Sequence, residues 1–354
     1  MRSRRGLGGM AFALLGSLLV VLLVVSLAGE PALETIANSL YNSVDTALSN
    51  GAGQSINISS GSFTLLYYGA PKPSDYATLA NYVLTLINND RIANGVTSNV
   101  SLDFNPAAQQ HAYSMLLNDY FSHWDTQGYK PYMRYTIAGG TGAVEENIAF
   151  AHQTGQFTSV QAEEAALKSL EYEMVYNDAA HGNEHKYNIL DPYHNYVSIG
   201  VAYDSANIYL VQDFENKYIN WTEPVTLSSS GQVTMTGDFS MSKDIQSVQI
   251  FYESLPTALT VAQLGQLPYS GSYTQGTFAG GVPPPGTQFA QGITITPSAW
   301  DLSGSSFTIS FNMAPMIKKM GPGCYTLYIS LPPESSGRPN LMTSLTLFVS
   351  NSSV

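Results

Sequence analysis

Three short blocks, in order within about seventy residues, hold the side chains best suited to chemistry. The first is Asp119-Tyr120-Phe121-Ser122-His123-Trp124-Asp125, followed by Gly128, Pro131 and Arg134. The second is Glu145-Glu146-Asn147-Ile148-Ala149, and the third His185-Lys186-Tyr187-Asn188-Ile189-Leu190, leading to Ser198-Ile199-Gly200-Val201-Ala202-Tyr203. Two neutral imidazoles can bind a divalent cation and leave positions for water or a carboxylate. A glutamate near them can orient a ligand histidine or take a proton from metal-bound water. Ser122 adjoins His123, but adjacent side chains rarely meet productively, and spacing alone assembles no Asp-His-Ser set. His181-Gly182-Asn183-Glu184-His185 has two histidines four apart. Gly182 and Asn183 weaken a helix there, and no glutamate follows His181 directly, so a metalloprotease-like pair on one helix is not expected.

In this order and at this spacing the blocks resemble the CAP superfamily, the SCP-like domain of cysteine-rich secretory, antigen 5 and PR-1 proteins. The resemblance covers about two fifths of the chain. It implies an α-β-α sandwich whose cleft brings together His123, Glu146 and His185. His123 and His185 then face each other as ligands for a metal such as Zn²⁺, with Glu146 beside them. Members with a full tetrad carry a second glutamate on the following helix; Glu171 and Glu173 both precede Tyr176, and Glu173 is the expected one. Two departures bear on the outer cleft. Glu145 stands where glycine is common, and Met174 to Glu184 replaces a shorter tryptophan-containing run of bacterial members. The roles implied are binding of a divalent metal and of a small or lipid ligand at an extracellular surface. A zinc-assisted, peptidase-like hydrolase and a structural surface or adhesion protein are the alternatives.

All six histidines precede residue 195. His111 falls mid-helix beside an apolar stripe and reads as structural. His152 and His194 fall in loops without motif support and read as surface residues.

The elements that position these blocks follow from local pattern. Ser74 can cap a helix with apolar stripe Leu79, Ala80, Val83 and Leu86 or Ile87. Asn105 caps a second with Pro106 at its first position and Ala108, Ala112, Met115 and Leu116 inward. A third runs from about Ser159 to Tyr176. Strands are expected at 144–150, 197–203 and 207–214, the last two joined in a hairpin by Asp204-Ser205-Ala206-Asn207. From about Asn220 only strand patterns occur, separated by Gly, Pro and Ser, as in an immunoglobulin-like sandwich. There Ala279 to Gly286 reads as a loop rather than a central strand. This β-rich part contains no histidine and no acid–base cluster.

The fold class is therefore α+β: the α-β-α domain at 74–218, followed by an all-β sandwich at 219–354. Residues 30–73 read as an amphipathic stalk and flexible linker. Residues 6–29 are free of charge and preceded by Arg2, Arg4 and Arg5, the pattern of a signal anchor or signal peptide over 1–29. The bulk of the chain is thus expected outside the cell, anchored through that helix or secreted, with the sandwich able to meet a surface-protein partner.

The net charge of −12, with three of the few arginines at the N-terminus, argues against a nucleic-acid partner. Only 11% of residues are charged, so Ser, Thr, Asn, Gln and Tyr take much of the surface. A single cysteine, Cys324, excludes an intramolecular disulfide and any cysteine-based zinc site, in keeping with the prokaryotic type of the family.

Overall fold

The computed structural model describes residues 71–241, 245–332 and 340–350. The expected signal or anchor helix and nearly all of the stalk lie outside them. All described residues belong to one compact unit, and among them no helix is long and apolar enough to cross a membrane.

Helix α1 spans Tyr76–Ala93 and buries Leu79, Ala80, Val83 and Ile87, one stripe at helical spacing. Its N-cap is Asp75, one residue past the expected Ser74, and no side-chain bond caps it; Asp75 instead accepts from the Tyr203 hydroxyl. After the short strand β1 (Ser101–Asp103) comes α2 (Pro106–Asn118), where Asn105 Oδ1 accepts from the Ala107 N–H at 3.0 Å. Helix α3 (Pro131–Ile137) and strand β2 (Ala143–His152) follow. Helix α4 (Val160–Tyr176) opens on Ser159, whose hydroxyl accepts from Ala162 N–H. Helix α5 (Glu184–Ile189) then leads to the hairpin β3 (Tyr196–Tyr203) and β4 (Asn207–Asn216).

These strands form one sheet in the order β1-β3-β4-β2, so β2 is an edge strand. One face packs on α1 and α4, through Leu79, Val83, Ile87, Leu167 and Val175 against Val197, Ile199, Ile208, Leu210 and Phe214. The other packs on α2, through Ala108, Ala112 and Met115 against Ile148, Ala202, Tyr209 and Val211. The expected α-β-α layering is therefore present. A Cβ at Gly200 would lie 2.1 Å from the Ala108 carbonyl oxygen, so glycine lets α2 rest directly on β3. With both faces covered, β4 is buried from Ile208 onward, and Gln212, Asp213 and Glu215 are buried with it.

The rest of the chain is β-rich. Strands β5 (Ile219–Trp221), β6 (Gln232–Phe239) and β7 (Ser247–Glu253) are followed by a connection holding the one-turn helix α6 (Val261–Leu264). Then come β8 (Thr277–Val282), β9 (Ile293–Thr294), β10 (Ala299–Ser303), β11 (Ser306–Asn312), helix α7 (Ala314–Met320), β12 (Gly323–Leu331), β13 (Asn340–Leu341) and β14 (Leu345–Val349). One sheet has the order β10-β11-β6-β5, the other β13-β12-β7-β8-β9, with β14 also beside β12. Alternate residues of both, among them Val233, Met235, Ile309, Phe311, Ile250 and Leu327, fill one core. The expected loop at Ala279 to Gly286 is corrected: residues through Val282 are strand, with β7 on one side and β9 on the other. Gly280, at φ +137°, makes this possible, because a Cβ there would lie 2.0 Å from the Ile293 carbonyl oxygen.

The connection between β7 and β8, residues 254–276, leaves the β-rich part and lies against α2. Leu259, Leu264, Tyr269 and Tyr273 join the cluster around Met115 and Trp124. Further contact comes from Thr136, whose hydroxyl donates to the Ser344 carbonyl and accepts from Thr346 N–H.

Candidate functional site

Strand β2 organises the site because consecutive residues point to opposite faces. Glu146 and Ile148 face α2; Asn147 faces the layer of α4 and α5. Glu146 is fully buried, and each of its oxygens has a strong donor. His123 Nδ1 donates to Oε1 at 2.9 Å, and Arg134 Nη2 to Oε2 at 2.6 Å. The other guanidinium arm donates to the carbonyls of His123 and Tyr129, so Arg134 fixes the histidine's backbone as well. His123 itself stands just past α2, which Asp119 ends in the left-handed region at φ 54°.

Charge in this pocket is set by burial and by Arg134. Burial alone would raise the Glu146 pKa, but Arg134, aided by His111 and His123, brings it down to about 2. Asp213 lies directly across on β4. Burial, and then the neighbouring Glu146 carboxylate, push it well above the usual range, so one acid of the pair is ionised and the other protonated. His111 is buried, donates from Nε2 to the Ser122 carbonyl at 2.8 Å, and is driven to about 3 by burial and by Arg134. It stays neutral and structural, as its place in the helix suggested.

The opposite wall is built on Asn147, whose side-chain amide donates to the His185 carbonyl and whose oxygen accepts from Asn188. His185 sits in the first turn of α5, and its Nδ1 donates to Asp178 Oδ1 at 2.7 Å. Asp178 Oδ2 also accepts from the Lys186 N–H at 3.1 Å. This geometry depends on Gly182 and Asn183, both left-handed at φ 70° and 61°, which turn the chain back after the single 3-10 turn Asp178–His181. Here the same Gly-Asn pair that breaks the continuous helix returns His185 to Asp178.

His123, Glu146, Glu173 and His185 all line one cavity of about 920 Å³. They are not one cluster. Glu173 stands on the cavity wall and accepts from Asn177, meeting neither histidine. Glu171 is buried away from the cleft, accepts from Gln212, and is pushed up to about 8 by burial. The carboxylate paired with His185 is thus Asp178. Sequence reasoning missed it, although an aspartate seven residues before the histidine, with Gly-Asn between, was a usable signal. Arg134 stood within the first block without an assigned partner. His181 lines the cavity beside His185, their rings 5.4 Å apart edge to face. His194 corrects the surface reading: it is buried, with both ring nitrogens 2.8 Å from amide oxygens of Asn188 and Asn216. His152 is exposed.

A third wall comes from the connection at 254–276, through Ser270 to Gln275, which no local motif marks. The Tyr273 ring packs on His123 with centroids 4.9 Å apart and planes tilted by 59°, and its hydroxyl accepts from the Glu146 N–H. Ser272 donates to Glu184 Oε2 at 2.6 Å, reaching the His185 wall. Ser122 donates to the Tyr269 carbonyl, which commits its hydroxyl elsewhere than to catalysis. Lys130 holds the Thr274 carbonyl and pairs with Glu253.

Among the described residues, no group of three or more His, Cys, Asp and Glu side chains is placed to hold a metal ion. Glu146 and Asp178 are already engaged at both oxygens, which leaves the two imidazoles as the donors on the cleft walls.

Residues 84–214 match the family model described as CAP, the cysteine-rich secretory protein family. Similar solved structures include an extracellular protein containing a SCP domain from Bacillus anthracis, 23% identical over 42% of this chain and 45% of that one, with TM-score 0.31. The CAP domain of Enterococcal PrgA is 14% identical over 42% of this chain and 64% of that one, with TM-score 0.31. An outer surface protein from Borrelia burgdorferi is 14% identical over 42% and 99%, with TM-score 0.32. The match spans less than two thirds of the first two chains. No curated protein matches. The chain carries a CAP domain.

Proposed function

We propose that this CAP domain belongs to an exported protein and acts as a binding module, its cleft taking a small or lipid ligand, or a divalent cation, between His123 and His185. The observation that supports this most is the matched fixing of the two imidazoles. Each Nδ1 donates to a buried carboxylate, Glu146 or Asp178. In a neutral ring that leaves the Nε2 lone pair free to meet a ligand. Export rests on the arginine-flanked apolar run at the N-terminus. The β-rich part would serve as spacer or as a surface for another cell-surface protein.

Zn²⁺ suits two imidazoles, and His123 and His185 would hold it. Bound there, it would supply a Lewis acid. Water or the ligand must fill the remaining positions, so affinity stays well short of a four-ligand site. Binding ranks ahead of zinc-assisted hydrolysis because Glu146, ionised down to about pH 2 and bonded at both oxygens, is a poor proton acceptor.

Calorimetric titration of the full chain with ZnCl₂, beside His123→Ala and His185→Ala, tests the cation. Uptake should be weakened in both variants and should decline below about pH 6.5, where histidine protonates. Equal uptake by all three proteins overturns the two-imidazole site.

A further inference from the structure

The edge of β2 forms the floor of the cleft. Residues 144–150 line the cavity without a break, and β2 is the last strand of its sheet. In an antiparallel ladder, residues whose N–H and C=O both face the partner strand alternate with residues whose groups both face away. Two bonds fix which set faces away here. Val144 N–H donates to Ser344 Oγ at 3.2 Å, and Glu146 N–H donates to the Tyr273 hydroxyl at 3.0 Å. Pairing of β2 with β4 runs in unbroken register from Ala143 to His152. Ile148 and Phe150 therefore turn their N–H and C=O groups the same way, off the sheet.

Free strand edges invite pairing, and folds commonly blunt them. Here the β-rich part covers the first half of the edge with two hydroxyls, and among the described residues that cover reaches only to Glu146. Beyond it the edge runs between the His123 wall and the His185 wall. At its far end Phe121 and Phe150, 42% and 37% exposed, lie with ring centroids 6.0 Å apart and offer an apolar surface.

We infer that the open half of this edge, Ile148 to Phe150, binds an extended peptide segment as an added strand. The inference rests on the reading of the cleft as a ligand site, and it names the ligand class. Main-chain hydrogen bonds to Ile148 and Phe150 supply affinity. Successive side chains of the guest point alternately toward His123 and toward His185, which supplies selectivity.

The probe is a synthetic library of octapeptides blocked at both ends, screened against the full chain. Binders should appear, and methylating the backbone nitrogens that face β2 should weaken them by roughly tenfold per site, the loss of about one hydrogen bond. Methylating the intervening nitrogens should change affinity little. Phe150→Pro removes the outward N–H at a position where an edge strand tolerates proline, so it should fold and lose the peptide; Phe150→Ala, which gives up the same ring contacts with Tyr209 and Phe121 but keeps the N–H, should melt at a similar temperature and retain the methylation pattern. Amide exchange gives a second reading, with Ile148 and Phe150 slowing when peptide binds. An absence of binders, or binding indifferent to backbone methylation, overturns the inference. Zinc titration of the same proteins separates the two readings. Phe150→Pro should take up zinc as the wild type does, and His123→Ala should still bind peptide in the methylation-sensitive way.

Discussion

Glu146 and Asn147 are consecutive on β2 yet hold opposite walls of the cleft: Glu146 accepts from His123 Nδ1 at 2.9 Å, and Asn147 donates to the His185 carbonyl at 3.1 Å. The period of two of a β-strand thus places two imidazoles on either side of one sheet edge. Neither histidine needs to be near the other in sequence, because one edge strand positions both.

Replacing Glu146 by Gln should destabilise the fold. It leaves the Arg134 guanidinium buried without its counter-charge, a loss on the order of 3–5 kcal/mol. Arg134→Met combined with Glu146→Gln should recover a substantial part, since the orphaned charge is then gone. Urea midpoints of the two proteins check this; a double variant no more stable than the single one would mean the pair is not what Arg134 serves.

Asp178→Asn tests the second wall. The amide oxygen can still cap the Lys186 N–H, but the NH₂ then stands where Oδ1 met His185 Nδ1 and that acceptor is lost, so stability should fall by about 1 kcal/mol. Ligand or zinc affinity at His185 should drop roughly ten- to hundredfold, as for other oriented ligand histidines. Calorimetry beside a melting curve separates the two effects. Glu173→Gln should leave affinity for zinc unchanged, because Glu173 bonds to Asn177 and to neither histidine.

Legibility followed the range of the forces involved. The cap at Asn105, the extent of α4 from about Ser159, the apolar stripe of α1 and the Asp204–Asn207 turn are decided within a few residues, and all are readable. His123, Glu146 and His185 were readable through the three blocks. Asp178 is less legible, because its meeting with His185 depends on two consecutive left-handed residues, a conformation that sequence suggests only weakly. Tyr273 lies 127 residues beyond Glu146, and no local pattern joins them. On β4, the run Gln212-Asp213-Phe214-Glu215 looks like the polar half of a surface hairpin. It is buried because β2 and β3 flank it and helices cover both faces.

Tyr273→Phe should reveal how far the β-rich part supports the cleft. It keeps the ring on His123 and removes the hydroxyl that accepts from the Glu146 N–H, leaving a buried donor unpaired at a cost of about 1–3 kcal/mol. Hydrogen exchange at Glu146 should quicken by the corresponding factor. A variant with unaltered exchange and melting temperature would mean that the connection merely rests on the site.

The buried acids on and behind β4 predict an unusual pH profile. Glu171 and Glu215 are both pushed to about 8, chiefly by burial, and Asp213 is pushed well above the usual range by burial and by Glu146. Their folded pKa values lie above the unfolded ones, so the folded state holds more protons. Their contribution is fully present below about pH 4 and is lost progressively as pH rises toward 8. Glu146 works in the opposite sense: its folded pKa of about 2 is depressed, so its contribution is present above about 4.5 and lost as pH falls toward 2. Stability should therefore be greatest near pH 4–5 and fall by on the order of a few kcal/mol by pH 8. Urea midpoints from pH 3 to 8 measure the curve, and Glu171→Gln, which keeps the Gln212 contact without a titrating proton, should flatten its alkaline limb. A limb that stays equally steep in that variant would assign the slope to Asp213 and Glu215, and a profile rising steadily to pH 8 would mean that these carboxyls ionise in the folded protein without penalty.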